Sequence, residues 1–158
     1  VPLAAIALGS NLGDRKATLL QAVEAIALLG RVVAVSPWIA TEPVGYTNQP
    51  EFVNGAALLE TELPPVLLLQ SLLQIEREHG RDRAHGIEKG PRTLDLDLLL
   101  YADTVMETPE LTLPHPEMHR RRFVLEPLAA IAPEMIHPVL HRTVRQLLQE
   151  LDAPAYTA

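Results

Sequence analysis

The chain has 158 residues, enough for one domain with a real core and too few for two full ones. Apolar residues at 47% and charged residues at 21% match ordinary globular proteins and exclude wholesale disorder. With no cysteine there is no disulfide, thiolate zinc site or cysteine nucleophile, and a net charge of −7 disfavours nucleic acid or anionic membrane as a partner.

The first ten residues, VPLAAIALGS, lack a basic leader, and Leu3 to Leu8 within them reads as a buried strand closed by Gly9. No apolar run approaches the ~20 residues that cross a bilayer, so the expectation is a cytoplasmic protein with one domain over 1–158. Asp14 is placed to cap a helix over 15–29, with Leu19 or Leu20, Val23, Ile26 and Leu29 on one face and Gly30 at its end. Arg31 to Ser36 is β-branched and strand-like, and Pro37 interrupts it. Ile39 to Pro50 holds several turn formers and little periodicity, which predicts a loop; Phe52 to Glu60 predicts a strand. Pro64 and Pro65 open a second helix with the stripe Leu69, Leu72, Leu73 and Glu76, ending near Gly80. Residues 81–91 are polar and basic without periodicity, whereas Thr93 to Tyr101 reads as an interior strand. Helical segments follow near 118–132. The last helix, about Thr143 to Leu151, carries a capping box in Thr143 and Gln146 and a stripe of Val144, Leu147, Leu148 and Leu151. The order predicts an α+β, ferredoxin-like βαββαβ core, an antiparallel sheet with helices packed on it, plus C-terminal helices.

The negative balance conceals local positive charge. Eight of the 13 basic residues fall in two windows, Arg77, Arg81, Arg83, Lys89 and Arg92, then Arg120, Arg121 and Arg122. Such windows suit either a solvated basic face or a bound anion. Between them stands Asp95-Leu96-Asp97. Strand alternation sends both carboxylates to one face while Leu94, Leu96 and Leu98 enter the core. Two like charges about 7 Å apart along a strand repel unless a cation lies between them. Mg²⁺ fits, because it takes hard oxygen ligands and keeps positions for phosphate; an ordinary solvent-facing acidic strand is the plainer alternative. Arginine forks at Arg81, Arg83 and Arg92 suit polyphosphate, and carboxylates with arginines are the parts of phosphoryl transfer. Glu76 on an apolar stripe is either an edge residue or a polar-site residue, and His115 between Pro114 and Pro116 is either structural or a phosphate donor. Gly9-Ser10-Asn11-Leu12-Gly13 resembles a phosphate-cradling turn without being a P-loop.

Taken together, Gly9-Ser10-Asn11-Leu12, Thr41-Glu42-Pro43-Val44-Gly45, Phe52-Val53-Asn54, Gly80-Arg81-Asp82-Arg83 and the run GPRTLDLD over 90–97 resemble the 6-hydroxymethyl-7,8-dihydropterin pyrophosphokinases of folate biosynthesis. Pro114-His115, Arg121, Phe123 and Leu125-Glu126-Pro127-Leu128 continue the likeness along nearly the whole chain. The resemblance implies transfer of pyrophosphate from ATP to the pterin's hydroxymethyl oxygen, releasing AMP. It implies two Mg²⁺ on Asp95 and Asp97, with Arg81 and Arg92 stabilising the transferring group. Leu69, Glu76, Arg83, Arg92, Leu98, Leu111, Thr112, His115 and Arg121 would surround ATP. Thr41, Pro43, Val44, Gly45, Phe52, Asn54, Asp95 and Phe123 would hold the pterin. The chain departs from some members at Lys89 and Glu110, and the family suggests a monomer whose partners are these two small molecules. Two other classes stay open on the residues alone. One is a Mg²⁺-dependent nucleotidyltransferase, against which the distance from Ser10 to Asp95 argues; the other is a non-catalytic nucleotide-binding module.

Overall fold

A computed structural model describes residues 1–11, 14–41, 52–80 and 94–152. Strand β1 (Leu3–Ser10) is buried on both faces, so it lies inside a sheet. It pairs antiparallel with β4 (Phe52–Glu60) on one side and with β5 (Leu94–Tyr101) on the other. Strand β2 (Arg31–Val35) pairs with the far side of β4, giving the order β2-β4-β1-β5. Every pairing in this sheet is antiparallel. That order is the split βαβ arrangement of the ferredoxin-like fold, as the sequence predicts.

Helices α1 (Arg15–Ile26) and α2 (Pro65–Ile75) cover one face. They bury Leu19, Ala22, Ile26, Leu68, Leu72 and Ile75 against Ile6, Leu8, Leu59, Leu96 and Leu98. The Asp14 carboxylate accepts the Ala17 N–H at 3.1 Å, as its capping position predicts. Two helix faces differ from the sequence reading. Leu20 is exposed, and α2 turns Leu68, Leu72 and Ile75 inward rather than Leu69, Leu72 and Leu73. Its run of consecutive apolar residues supports several faces equally, and packing on β5 selects one.

The other face takes the C-terminal layer: α3 (Arg122–Ile131) and α4 (Val144–Asp152). Here Val124, Leu125, Leu128, Val144 and Leu147 pack on Ala5, Ala7, Ala56, Leu58 and Leu99. The capping box forms, with the Thr143 N–H donating to Gln146 Oε1 at 2.8 Å and the Gln146 N–H donating to Thr143 Oγ1 at 3.1 Å. Two short ribbons complete the fold, β6 (Met106–Glu107) with β7 (Thr112–Leu113) and β8 (Ile136–His137) with β9 (Arg142–Thr143).

One predicted loop is partly a strand. Residues Ile39–Thr41 form β3 and extend the sheet along β4, Ile39 opposite Asn54 and Thr41 opposite Phe52. Three residues are too few for alternation to show in a sequence, and the pairing comes from β4, which outruns β2.

Candidate active site

The two sheet faces differ along their length. On the face beneath α3 and α4 the rows Ala56-Ala7 and Leu58-Ala5 are apolar, and polar side chains begin where the helices end. One row there runs across four strands: Ile39 on β3, Asn54 on β4, Gly9 on β1 and Asp95 on β5. Asp97 is level with Ala7 in the adjoining row. Both carboxylates therefore project from one face of β5, Asp95 exposed and Asp97 half-buried, while Leu94, Leu96 and Leu98 are buried behind them. Asn54 is buried and lies one strand beyond Gly9. At about 4.8 Å per strand, its backbone stands roughly 10 Å from that of Asp95.

The C-terminal layer supplies the wall. His115 follows β7 along the free edge of β5, its N–H donating to the Leu99 carbonyl at 2.9 Å. Its Nδ1 accepts the Glu117 N–H at 3.1 Å, which leaves Nε2 to carry the proton of the neutral ring. Burial holds the His115 pKa below the usual 6.5, opposed by the nearby Asp97 carboxylate and assisted by Arg121. Arg121 precedes α3 and sets its guanidinium carbon 5.8 Å from the centre of the Phe123 ring. Phe123, in the first turn of α3, is 44% exposed. It faces the Asn54 end of the row, where a cavity of about 210 Å³ is lined by Ile39, Asn54, Arg122, Phe123 and Glu126. Phe52, two residues before Asn54, shares its face of β4 and is half-buried.

Other predicted nucleotide residues lie around the free edge of β5. The Glu76 carboxylate accepts the Leu96 N–H at 2.7 Å, so it fixes the strand between the two aspartates from behind. Leu69 packs partly buried on the α1/α2 core, and Leu98 and Leu111 are buried within it. Thr112 is half-buried in β7. The predicted residues Pro43, Val44, Gly45, Arg81, Arg83 and Arg92, and the side chain of Thr41, lie outside the described residues. Ile39 and Arg122 also line the cavity: the sequence marks Arg122 only as part of a basic window, and nothing in it marks Ile39, whose strand β3 is too short to show a pattern.

A profile of the 7,8-dihydro-6-hydroxymethylpterin-pyrophosphokinase (HPPK) family matches residues 5–133. The 2-amino-4-hydroxy-6-hydroxymethyldihydropteridine pyrophosphokinase of Pseudomonas aeruginosa is 46% identical over 135 residues, covering 84% of this chain and 82% of that one. The chain belongs to the HPPK family. The folic acid synthesis protein of Schizosaccharomyces pombe is 41% identical over 155 residues, covering 94% of this chain, which spans only 20% of that longer protein. A crystal structure of a Plasmodium falciparum HPPK-DHPS triple mutant shares the fold, with a TM-score of 0.72 at 14% identity over 94% of this chain and 43% of that one.

Whether these HPPK residues suit Mg²⁺ follows from the donors present. Among the described residues no three histidine, cysteine, aspartate or glutamate side chains form a ligand set. Among the described residues Asp95 and Asp97 offer carboxylate oxygens on one face of β5. A complete protein cage would suit Ca²⁺ or Zn²⁺, whereas two carboxylates with room for water and phosphate oxygens fit Mg²⁺. Among the described residues no helix is long and apolar enough to cross a membrane.

Proposed function

We propose that residues 1–158 form one pyrophosphokinase domain that acts as a monomer, with the sheet face bearing Asn54, Gly9, Asp95 and Asp97 as its reaction surface. As an HPPK, the chain is an ATP-using pyrophosphokinase of folate biosynthesis. The pterin's hydroxymethyl oxygen attacks the β-phosphorus of ATP, a new O–P bond forms, and the bond from that phosphorus to the α-phosphate oxygen breaks to release AMP.

The observation that carries this reading is the cross-strand row. It puts the Asn54 amide, with Phe123 of α3 beside it, on one side of Gly9 and Asp95 on the other, with Asp97 in the adjoining row and no side chain on Gly9 between them. A flat heterocycle fits the cavity beside Phe123 and Asn54, stacked on that ring while the Asn54 amide reads its edge, with Phe52 on the same face of β4 as the second ring. The family likeness assigns Thr41, Pro43, Val44 and Gly45 to the pterin as well, of which 43–45 lie outside the described residues. The hydroxymethyl arm then points along the row toward β5, where ATP lies with its phosphates near His115, Arg121 and Asp97. His115 donates from Nε2 to a phosphate oxygen, since its Nδ1 is already engaged. Arg121 balances phosphate charge while its own orientation is held against Phe123. Arg81 and Arg92 stabilise the transferring group and Arg83 supports the phosphates, while Leu69, Glu76 and Thr112 border the nucleotide with Leu98 and Leu111, buried in the core, behind them. Asp95 and Asp97 would hold two Mg²⁺, which supply charge neutralisation on the ATP phosphates when bound. Positioning and charge account for most of the catalysis, because a loose phosphoryl transition state asks little of a general base.

The test is the product. ATP, Mg²⁺ and the pterin alcohol mixed with the protein should give AMP and pterin diphosphate in equal amounts. Released pyrophosphate would mean nucleotidyl transfer, and no turnover at all would leave a binding module.

A further inference from the structure

Gly9 is hemmed in on one side only. A Cβ built on it would come within 2.7 Å of Asn54 Oδ1, whereas the nearest backbone atom, the Val53 carbonyl oxygen, would be 3.8 Å away. The strand therefore tolerates a methyl group at this position; the carboxamide of Asn54 does not. Asn54 cannot swing clear cheaply, because it is 8% exposed and sits between Gly9 on β1 and Ile39 on β3. Gly55, the next residue, is pinned beneath Trp38, whose ring carbons would lie 2.3 Å from a Cβ there. That contact fixes the β4 backbone on the opposite face, so β4 cannot slide to relieve a clash at Asn54.

We propose that Gly9 is a positioning residue for the pterin: its bare Cα is the surface on which the Asn54 carboxamide rests, and this sets the plane in which that amide reads the ring. The inference depends on the proposed role of Asn54 in holding the pterin and adds to it the group that holds Asn54. Gly9 stands opposite Asp95 across the strands, yet the atoms a Cβ on it would meet first belong to Asn54 and Val53, not to the carboxylate pair. It acts on one substrate through one side chain.

The experiment is a double-mutant cycle on Gly9→Ala and Asn54→Ala, read as KM for each substrate and as kcat. Gly9→Ala should raise the pterin KM by about tenfold or more, the scale of a misaligned hydrogen bond in a closed site, with the ATP KM unchanged. In the Asn54→Ala protein the same change should move the pterin KM by less than about twofold, since the displaced amide is gone. An equal factor in both backgrounds would overturn the proposal, as the methyl would then act on the substrate or the strand directly. A rise in both substrates' KM would overturn it too, and so would an unchanged pterin KM. If Gly9→Ala does not fold, the double variant decides. A double variant that melts with Asn54→Ala supports the contact, and one that stays unfolded refutes it. Failure of the underlying reading looks different: Asn54→Ala alone would then leave the pterin KM where it was.

Discussion

Asp97 is the half-buried member of the carboxylate pair, and its charge acts on His115, as does that of Arg121. Replacing it with alanine removes one of two like charges from one face of β5, so the fold should keep its stability. Turnover should fall by at least about a hundredfold, the scale of losing a metal or phosphate clamp. The check is AMP release beside a thermal melt; a variant with near-parental turnover would remove Asp97 from the chemistry. Phe123 makes a second residue-scale case. A phenylalanine 44% exposed beside a cavity gains most when a flat ligand covers it. Phe123→Ala should weaken pterin binding about ten- to hundredfold and raise the ATP KM by a smaller factor, because Arg121 loses the ring that orients it, as read by steady-state kinetics with each substrate varied. Asp95 and Asp97 were legible in the sequence, because aspartate beside an apolar strand run is locally costly and alternation gives both one face. Arg122 and Ile39 were not legible as cavity residues, since only the packing of α3 against β3 brings them to Asn54.

At the scale of elements, β8 and the turn after it depend on a neutral histidine. The His137 Nδ1 accepts the N–H of Val139 at 3.3 Å and of Leu140 at 3.1 Å, which a protonated ring cannot do. Burial, then the neighbouring His119 and His141, hold its pKa below the usual 6.5. His115 is shifted the same way. With folded-state values below the unfolded one, the unfolded chain takes up protons first as pH falls. Stability is therefore full above about pH 6.5 and declines below it. His137→Asn keeps an acceptor for the turn without the titration, so urea unfolding between pH 5 and 7.5 should show a shallower acid decline, with the His115 share remaining. A slope equal to the parent's would show that His137 does not carry it. The elements themselves were mostly visible in advance. Capping residues, strand alternation and proline punctuation act locally and mark α1, β4 and α4. The inward face of α2 and the strand β3 depend on partners distant in the chain, and sequence periodicity does not record partners.

For the molecule as a whole, the sheet is shared by two cores, and the reaction surface lies at the edge of the second. Leu125 is fully buried in that second core, two residues from Phe123 and four from Arg121. Trp38, the chain's one tryptophan, packs on Gly55 over the first core. Leu125→Ala should cost about 2–5 kcal/mol through lost transfer energy and the cavity left behind. For a chain of this size that lowers the melting temperature by roughly 5–15 °C. Because β1, β4 and β5 contribute residues to both cores, loss of either core removes packing from the same strands, and the two layers should melt together. Trp38 fluorescence should therefore shift to the same lower midpoint as far-UV circular dichroism, although the substitution lies across the sheet from the probe. Pterin binding should disappear over the same range, since α3 presents Phe123 to the ligand. A Trp38 midpoint that stayed at the parent value while pterin binding shifted would mean that the layers melt separately. The C-terminal helices would then be a detachable cover, and the positions of Arg121 and Phe123 would no longer follow from the stability of the sheet.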